Sequence, residues 1–440
     1  MKRVVTSILL GIALGSNAQN AYTLQAAVDY ALANNGTHQN VILDQQLADM
    51  KRKEIRGIGL PQIGGSADMN NFLNIPTSVI PAQAFNPMAP ADMFVPVRFG
   101  IQYNASAGIT ISQILFSSDY IVALQASKAY VDLSQMNVNR SKVETTVNVS
   151  KAYYNVLVSK ERAKFIDLQI VRVKKLKDDI QTMHENGVVE KLDLDRVTLA
   201  YNNLVTEKEK ISKMVSLTEY LLKFQMGANM AEPITLIDSL VKADNIAIDN
   251  TTKANYTARY DYNMLEMQMK LNKLDLKRYK MSWMPTLAAF GTHNETAYRT
   301  KANFLASEEW YPTTLVGLKM TVPIWDGGQT YFKRQAAKVE VAKTQNTLKM
   351  MESVIDLELV ASQSSYNNAV LTLGTQEKNI QLAEEVYSVS KTKYEQGLAT
   401  INDVIDAETS LKESQINYYD AMYQYHIAKI DYQKATGAIK

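Results

Sequence analysis

The 440-residue chain contains no cysteine. Disulfides, thiolate metal sites and a lipid-modified N-terminal cysteine are thereby excluded, so any membrane attachment has to come from the fold itself. Long apolar runs are missing too. No segment after the N-terminus approaches 18 consecutive apolar residues, so no membrane-spanning helix is expected. Neither sign of charge dominates: 47 Lys+Arg against 45 Asp+Glu leave +2, which gives no support to a nucleic-acid partner. The four histidines, His38, His184, His293 and His426, are scattered without metal-ligand spacing. No nucleophile motif, phosphate loop or paired-acid motif occurs. The chain therefore reads as a non-enzyme, without cofactor and without a metal site. Its 19 methionines, Met264, Met267, Met269, Met281 and Met284 among them, read as gap-fillers in helix packing rather than as ligands for exported metal. Of only ten prolines, five (Pro76, Pro81, Pro87, Pro90 and Pro96) fall within residues 72–96. That density predicts a long exposed loop with neither helix nor sheet pairing.

The stretch from Gly397 to Gly437 occurs twice. Subtracting 210 takes Gly397 to Gly187, Asp403 to Asp193 and Gly437 to Gly227 without a gap. Each copy opens on a short turn, Asn186-Gly187-Val188-Val189 or Gln396-Gly397-Leu398-Ala399, and then runs without Gly or Pro to its closing glycine. That is a helix with a glycine cap. Its apolar period is seven: Val404, Leu411, Tyr418, Tyr425 and Tyr432 form a large row beside the small row Ala407, Ser414, Ala421, Ala428 and Ala435. The first copy keeps the period with Leu194, Tyr201, Val215 and Leu222 against Val197, Leu204 and Ile211, interrupted at Lys208. Sustained heptads wind helices around one another, and this length and duplication favour a helical barrel or coiled coil over an ordinary core helix.

Residues 1–18 have the form of a secretory signal: Lys2-Arg3, an apolar run from Val4 to Leu14, then Ser16-Asn17-Ala18. Two structural repeats are expected to follow, at 19–230 and 258–440, joined by a weakly patterned connector at 231–257. Helix is expected from Thr23, an N-cap, with a break at Asn34-Asn35-Gly36. After Leu60-Pro61 the period changes to two. The cleanest alternation sets Phe99, Ile101, Tyr103, Ala105, Ala107, Ile109 and Ile111 against small polar residues. Such a strand suits a membrane or a half-buried position in a soluble sandwich. Ser117 to Glu185 lacks Gly and Pro and reads as one long helix. In the second repeat a helix spans about Ala258 to Trp283. A weaker strand covers Thr286 to Asn294, its alternation spoiled by Ala288 and Phe290. A loop through Trp310, Tyr311 and Pro312 leads to a strand carrying Val316, Leu318, Met320, Val322 and Ile324. The last long helix, about Tyr331 to Tyr394, is interrupted at Gly374 before the duplicated stretch closes the chain. Each half thus reads helix, strand, strand, long helix, turn, helix. Four strands per chain cannot close a barrel, and an open edge cannot sit in lipid. Two chains would supply eight strands and three would supply twelve.

Two motifs carry a resemblance. The run from Tyr394 through Gln396-Gly397-Leu398-Ala399 to Asp403-Val404-Ile405-Asp406-Ala407 is similar to a signature of the outer membrane efflux protein family. Val322-Pro323-Ile324-Trp325-Asp326-Gly327-Gly328 resembles the strand-to-helix corner of that family. The resemblance implies an α+β membrane protein, a homotrimer whose strands make a twelve-stranded barrel in the outer membrane lipid. Its long helices would form an α-helical barrel in the periplasm. The implied function is the exit duct of a tripartite efflux or type I secretion system, passively conducting substrates delivered by an inner-membrane pump through a periplasmic adaptor. By position, Asp403 and Asp406 correspond to constriction-lining carboxylates, and Tyr394 and Asp193 to residues that join neighbouring helices. The turns at Gly187, Val188, Gly397 and Leu398 correspond to the adaptor-docking end. Three residues apart, the two acids share a helix face, and six in a trimer would favour cations. Both acids also suit a helix N-terminus on electrostatic grounds alone. The chain departs from the family pattern at Ala399, where a basic residue is usual. A soluble periplasmic coiled-coil protein is the competing reading, which leaves the alternating strands unexplained.

Overall fold

The computed structural model describes residues 20–240, 254–304 and 308–439. The signal at 1–18 and residues 241–253 of the connector lie outside the described residues. In chain order the elements are β1 (Asn20–Tyr22), α1 (Leu24–Asn34), α2 (Gly36–Ile58), β2 (Gln62–Asn71), β3 (Thr77–Pro81), β4 (Phe94–Arg98), β5 (Tyr103–Phe116), α3 (Ser118–Glu185), α4 (Lys191–Met226), β6 (Ile234–Leu236), α5 (Tyr260–Met281), β7 (Thr286–Arg299), β8 (Tyr311–Thr321), α6 (Gln329–Glu395) and α7 (Ile401–Ala435). Two compact units divide them, residues 1–45, 134–265 and 347–440 forming one and residues 46–133 and 266–346 the other. Among the described residues no helix is long and apolar enough to cross a membrane.

The first unit is helical, and the heptad rows supply its core. Val404, Leu411 and Tyr425 of the large row and Ala407, Ala421, Ala428 and Ala435 of the small row are buried. One cluster joins Ile166, Val173, Leu176 and Ile180 of α3 to Val197 and Leu204 of α4 and to Ile401 and Val404 of α7. Another joins Tyr366, Ala369 and Leu373 of α6 to Tyr425 and Ala428 of α7. Ion pairs set the antiparallel register of α3 and α7: Lys151 with Asp431 at 2.6 Å, Arg162 with Asp420, and Arg172 with Glu408 at 3.3 Å. Every base is on α3 and every acid on α7. Partly exposed pairs contribute little each, about 0–1 kcal/mol, so their value lies in alignment. Thr23 caps α1 as expected, accepting from the Ala26 N–H. A short parallel pair, β1 with β6, was not legible in the sequence. It is tied to α3 by the Tyr153 hydroxyl, 2.9 Å from both the Tyr22 carbonyl and an Asp238 carboxylate oxygen.

The second unit is built on an antiparallel sheet in the order β2-β5-β7-β8. Cross-strand partners share a face, and one face collects Ile63, Ile111, Gly291 and Val316, with Gly65 and Ile109 in the next row. Ile63, Ile109, Ile111, Val316, Leu318 and Met320 are all exposed there. The opposite face carries Ser66, Gly108, Asn294 and Thr313. β2 and β8 are open edges.

Four expectations need correction. Residues 72–96 do not form a bare loop: β3 and β4 pair antiparallel, Val79 opposite Pro96 and Pro81 opposite Phe94. A two-stranded ribbon has only edges, where a proline removes no needed hydrogen bond. β7 is a full 14-residue strand at the centre of the sheet. Phe290 fits the small-residue face because its ring covers Gly317, where an added Cβ would meet it at 2.8 Å. β8 begins at Tyr311 and includes Pro312, tolerated on an edge strand. α6 runs through Gly374 unbroken, because tertiary packing outweighs the roughly 1 kcal/mol helix cost of one glycine.

Gly374 is exposed, and an added Cβ there meets nothing within 4 Å. Gly374→Ala is therefore expected to stabilise the helical unit by about 0.5–1 kcal/mol. Gly397→Ala, at φ +73°, is expected to cost about 1–2 kcal/mol. Opposite shifts of the thermal unfolding temperature for the two variants would check both.

Candidate functional site

The duplicated stretch folds as two copies of one turn. In the first, the Gly187 N–H donates to the His184 carbonyl at 2.9 Å and the Val188 N–H to the Met183 carbonyl at 2.9 Å. In the second, Gly397 donates to Tyr394 at 2.9 Å and Leu398 to Lys393 at 2.8 Å, every position displaced by 210. Both glycines are left-handed, at φ +74° and +73°, a conformation that closes a helix at small cost only for glycine. Each turn thrusts an aliphatic side chain into solvent: Val188 is 70% exposed and Leu398 74%.

The two helices that follow start differently. At α7 Thr400 and Asp403 form a capping box. The Asp403 carboxylate accepts from the Thr400 N–H and from its hydroxyl, both at 2.7 Å. These bonds hold the Asp403 pKa below its ordinary value. At α4 the cap is Glu190 without a side-chain bond, and Asp193 instead lies 3.7 Å from Arg196. The duplication is therefore exact in backbone and broken in side-chain chemistry. Asp406, one turn beyond Asp403, is exposed.

Tyr394 joins the two copies. It packs against the buried cluster that contains Ile401 and Val404, as do Val189, Leu194 and Ile405. Burial first, then the nearby negative charge of Asp193, push its hydroxyl pKa up. That hydroxyl finds no hydrogen-bond partner among the described residues. The structure thus brings together Asp193, Tyr394 and the start of α7. Asp403 is held by its own cap, and among the described residues no side-chain bond or ion pair draws Asp406 into the group.

A polar layer inside the same helices was not anticipated. Glu408 is 7% exposed and reaches Arg172 across α3 and α7 at 3.3 Å. The Arg172 guanidinium also lies 5.5 Å from the ring centre of Tyr387. Beside them Gln169 is fully buried with neither amide atom bonded. Lacking a second bond on its buried oxygen, Glu408 has its pKa raised by burial, against the opposing pull of Arg172. Only the position of Glu408 in the heptad, between two buried rows, could have hinted at it.

Glu408→Gln is expected to be neutral or slightly stabilising at neutral pH. Arg172→Met is expected to cost about 2–3 kcal/mol by stranding the carboxylate, and the double variant to recover most of it. The raised pKa means the native state takes up a proton more readily. Wild-type stability relative to Glu408→Gln should therefore rise as pH falls from that raised value toward the ordinary glutamate value of about 4.3. Denaturation of the four proteins across that range checks both.

Residues 248–438 match the family model of the outer membrane efflux protein. The outer membrane protein TolC of Escherichia coli (strain K12) is 21% identical over 460 residues, covering 100% of this chain and 87% of that one. A solved membrane protein from Pseudomonas aeruginosa superposes with a TM-score of 0.74 at 16% identity, covering 94% of this chain and 92% of its own. The outer membrane protein VceC from Vibrio cholerae superposes with a TM-score of 0.71 at 13% identity, over 94% and 96% of the two chains. At such identities the solved structures speak for the fold alone, mostly helix with a small sheet. Residues 248–438 are thus similar to the outer membrane efflux protein family, and the chain as a whole is similar in sequence to TolC and in fold to solved outer membrane proteins.

Proposed function

We propose that three copies of this chain form a passive exit duct through the outer membrane, serving a tripartite efflux or type I secretion system. The observation that carries a barrel shared between copies is the four-stranded sheet with one exposed apolar face and two open edges, β2 and β8. The likeness to TolC, rather than the edges, favours three copies over two. Open edges are forbidden in lipid. Pairing β8 of one copy with β2 of the next removes all of them at once and yields twelve strands. The two repeats at 19–230 and 258–440 each contribute two strands to that barrel and two long helices to the periplasmic part.

In this reading the glycine turns mark the periplasmic end. Val188 and Leu398 offer the apolar contacts for an adaptor protein, through which an inner-membrane pump delivers substrate. Three copies of the α7 start bring Asp403 and Asp406 around one axis. Asp406, exposed and free of the cap, serves as the main constriction carboxylate, while Asp403 sets the helix start and adds its charge. With Ala399 at the usual basic position, closure rests on the packing of Tyr394 against the first turns of α4 and α7. The energy for transport and the choice of substrate belong to the pump. Duplicated heptads alone would also suit a soluble coiled-coil protein, but the exposed apolar sheet face weighs against it.

Native mass determination of the detergent-extracted outer-membrane protein is expected to give three chain masses, and a monomer would overturn the duct. In planar bilayers Asp406→Ala is expected to lose most of the cation preference without loss of thermal stability. Asp403→Ala should lose part of that preference and also loosen the α7 start. Equal selectivity in both variants and the wild type would remove the carboxylate ring.

A further inference from the structure

The exposed apolar face of the sheet is interrupted part of the way along. From the end of β8 that leads into α6, partners across β7 and β8 on this face run Leu287–Met320, Ala289–Leu318 and Gly291–Val316, then His293–Thr314 and Glu295–Pro312. His293 Nδ1 lies 2.7 Å from the Thr314 hydroxyl. Its Nε2 is 3.8 Å from Glu295, with the two side chains 55% and 40% exposed. Ionisable groups facing acyl chains are costly, most of all near the midplane. On these two strands the apolar band therefore ends at Val316.

The rest of β8 is too short to complete it. At about 3.3 Å per residue and a tilt of 35–45°, Val316 to Thr321 rises about 13 Å, half of an apolar band about 25 Å tall. The other half follows the strand. Val322 and Ile324 continue the alternation of Val316, Leu318 and Met320 and are 46% and 94% exposed. Trp325 is 85% exposed, Phe332 69%, and Trp283, at the neighbouring corner before β7, 68%. From Thr313 to Trp325 the only charged residue is Lys319, which shares the opposite face with Gly317. Nor is the corner slack. Pro323 fixes its own φ, and the Asp326 carboxylate accepts from the Gly328 N–H at 3.0 Å and the Thr330 N–H at 2.8 Å.

We propose that the lipid boundary is displaced from the centre of the sheet toward the strand–helix corners. Val322 to Trp325, with Trp283, lies in the phospholipid of the inner leaflet, and the His293–Glu295 pair stands at the outer headgroups. The occupant of this apolar corner is phospholipid because the corner continues, residue by residue, the face that meets acyl chains. Indole rings settle at that depth, apolar body inward and N–H toward the headgroups. The placement rests on the reading of the sheet as a membrane span and goes beyond it by fixing its depth.

The three tryptophans, Trp283, Trp310 and Trp325, bracket the strand and supply the test. Single-tryptophan proteins, the other two replaced by Phe, are reconstituted into vesicles of phosphatidylcholine brominated on its acyl chains. Trp325 and Trp283 are expected to be quenched several-fold more than Trp310, which lies six residues and about 15 Å beyond Val316. Quenching of Trp310 with Trp325 spared would place the boundary at the sheet centre and overturn the displacement. Blue-shifted but unquenched Trp325 would mean that a second copy covers the corner, and also overturns it. No quenching at any of the three would remove the membrane span itself. Should a variant fail to fold, the wild type still decides: about two of its three tryptophans are quenchable on this placement, and about one on the centred placement.

Discussion

Two of the core clusters of the helical unit depend on one seam, the heptad in which a row of large side chains runs beside a row of small ones on α7. Alanines at 407, 421, 428 and 435 let neighbouring helices approach, and Val404, Leu411 and Tyr425 fill the space left between them. In helices of 67 and 68 residues, as in protein helices generally, packing of the apolar face rather than intrinsic propensity supplies most of the stability. The charged pairs between α3 and α7 add little energy but choose the partner. The face that α3 turns to α7 contributes only bases to these pairs, which matches the acids of α7.

The seam also explains why the duplication was legible. A period of seven survives substitution as long as size and polarity are kept, and the closing glycines survive because their left-handed backbone excludes most other residues. Thr23, Gly187, Gly227, Gly397 and the alternation of β5 were readable for the same reason: each rests on a local steric or hydrogen-bonding rule. What the sequence hid was decided by partners distant in the chain. Phe290 looked misplaced until Gly317 appeared beneath it across β8. Prolines at 81, 96 and 312 argued against strands until the strands proved to be edges. The helix at Gly374 needed its neighbours to outweigh one poor helix former.

At the candidate site the same division holds. The turn glycines and the acids at α7 came from pattern, but their division of labour did not. Thr400 three residues before Asp403 is a capping box, a local signal that claims one of the two acids for the helix start and leaves Asp406 exposed. Glu408 carried no signal beyond its place beside the buried heptad rows. Its burial against Arg172, 236 positions earlier, is a tertiary fact, and its raised pKa follows from that burial.

The open edges of β2 and β8 bear on the life of a single copy of the chain. A lone copy presents two rows of unpaired backbone donors and acceptors beside exposed Ile63, Val316 and Leu318. Such edges template association with any strand they meet. On the proposed shared barrel, a copy that has not yet met its partners is an aggregation hazard from the moment its sheet forms. Safe production then demands either that the sheet fold late or that a holding factor shield its edges.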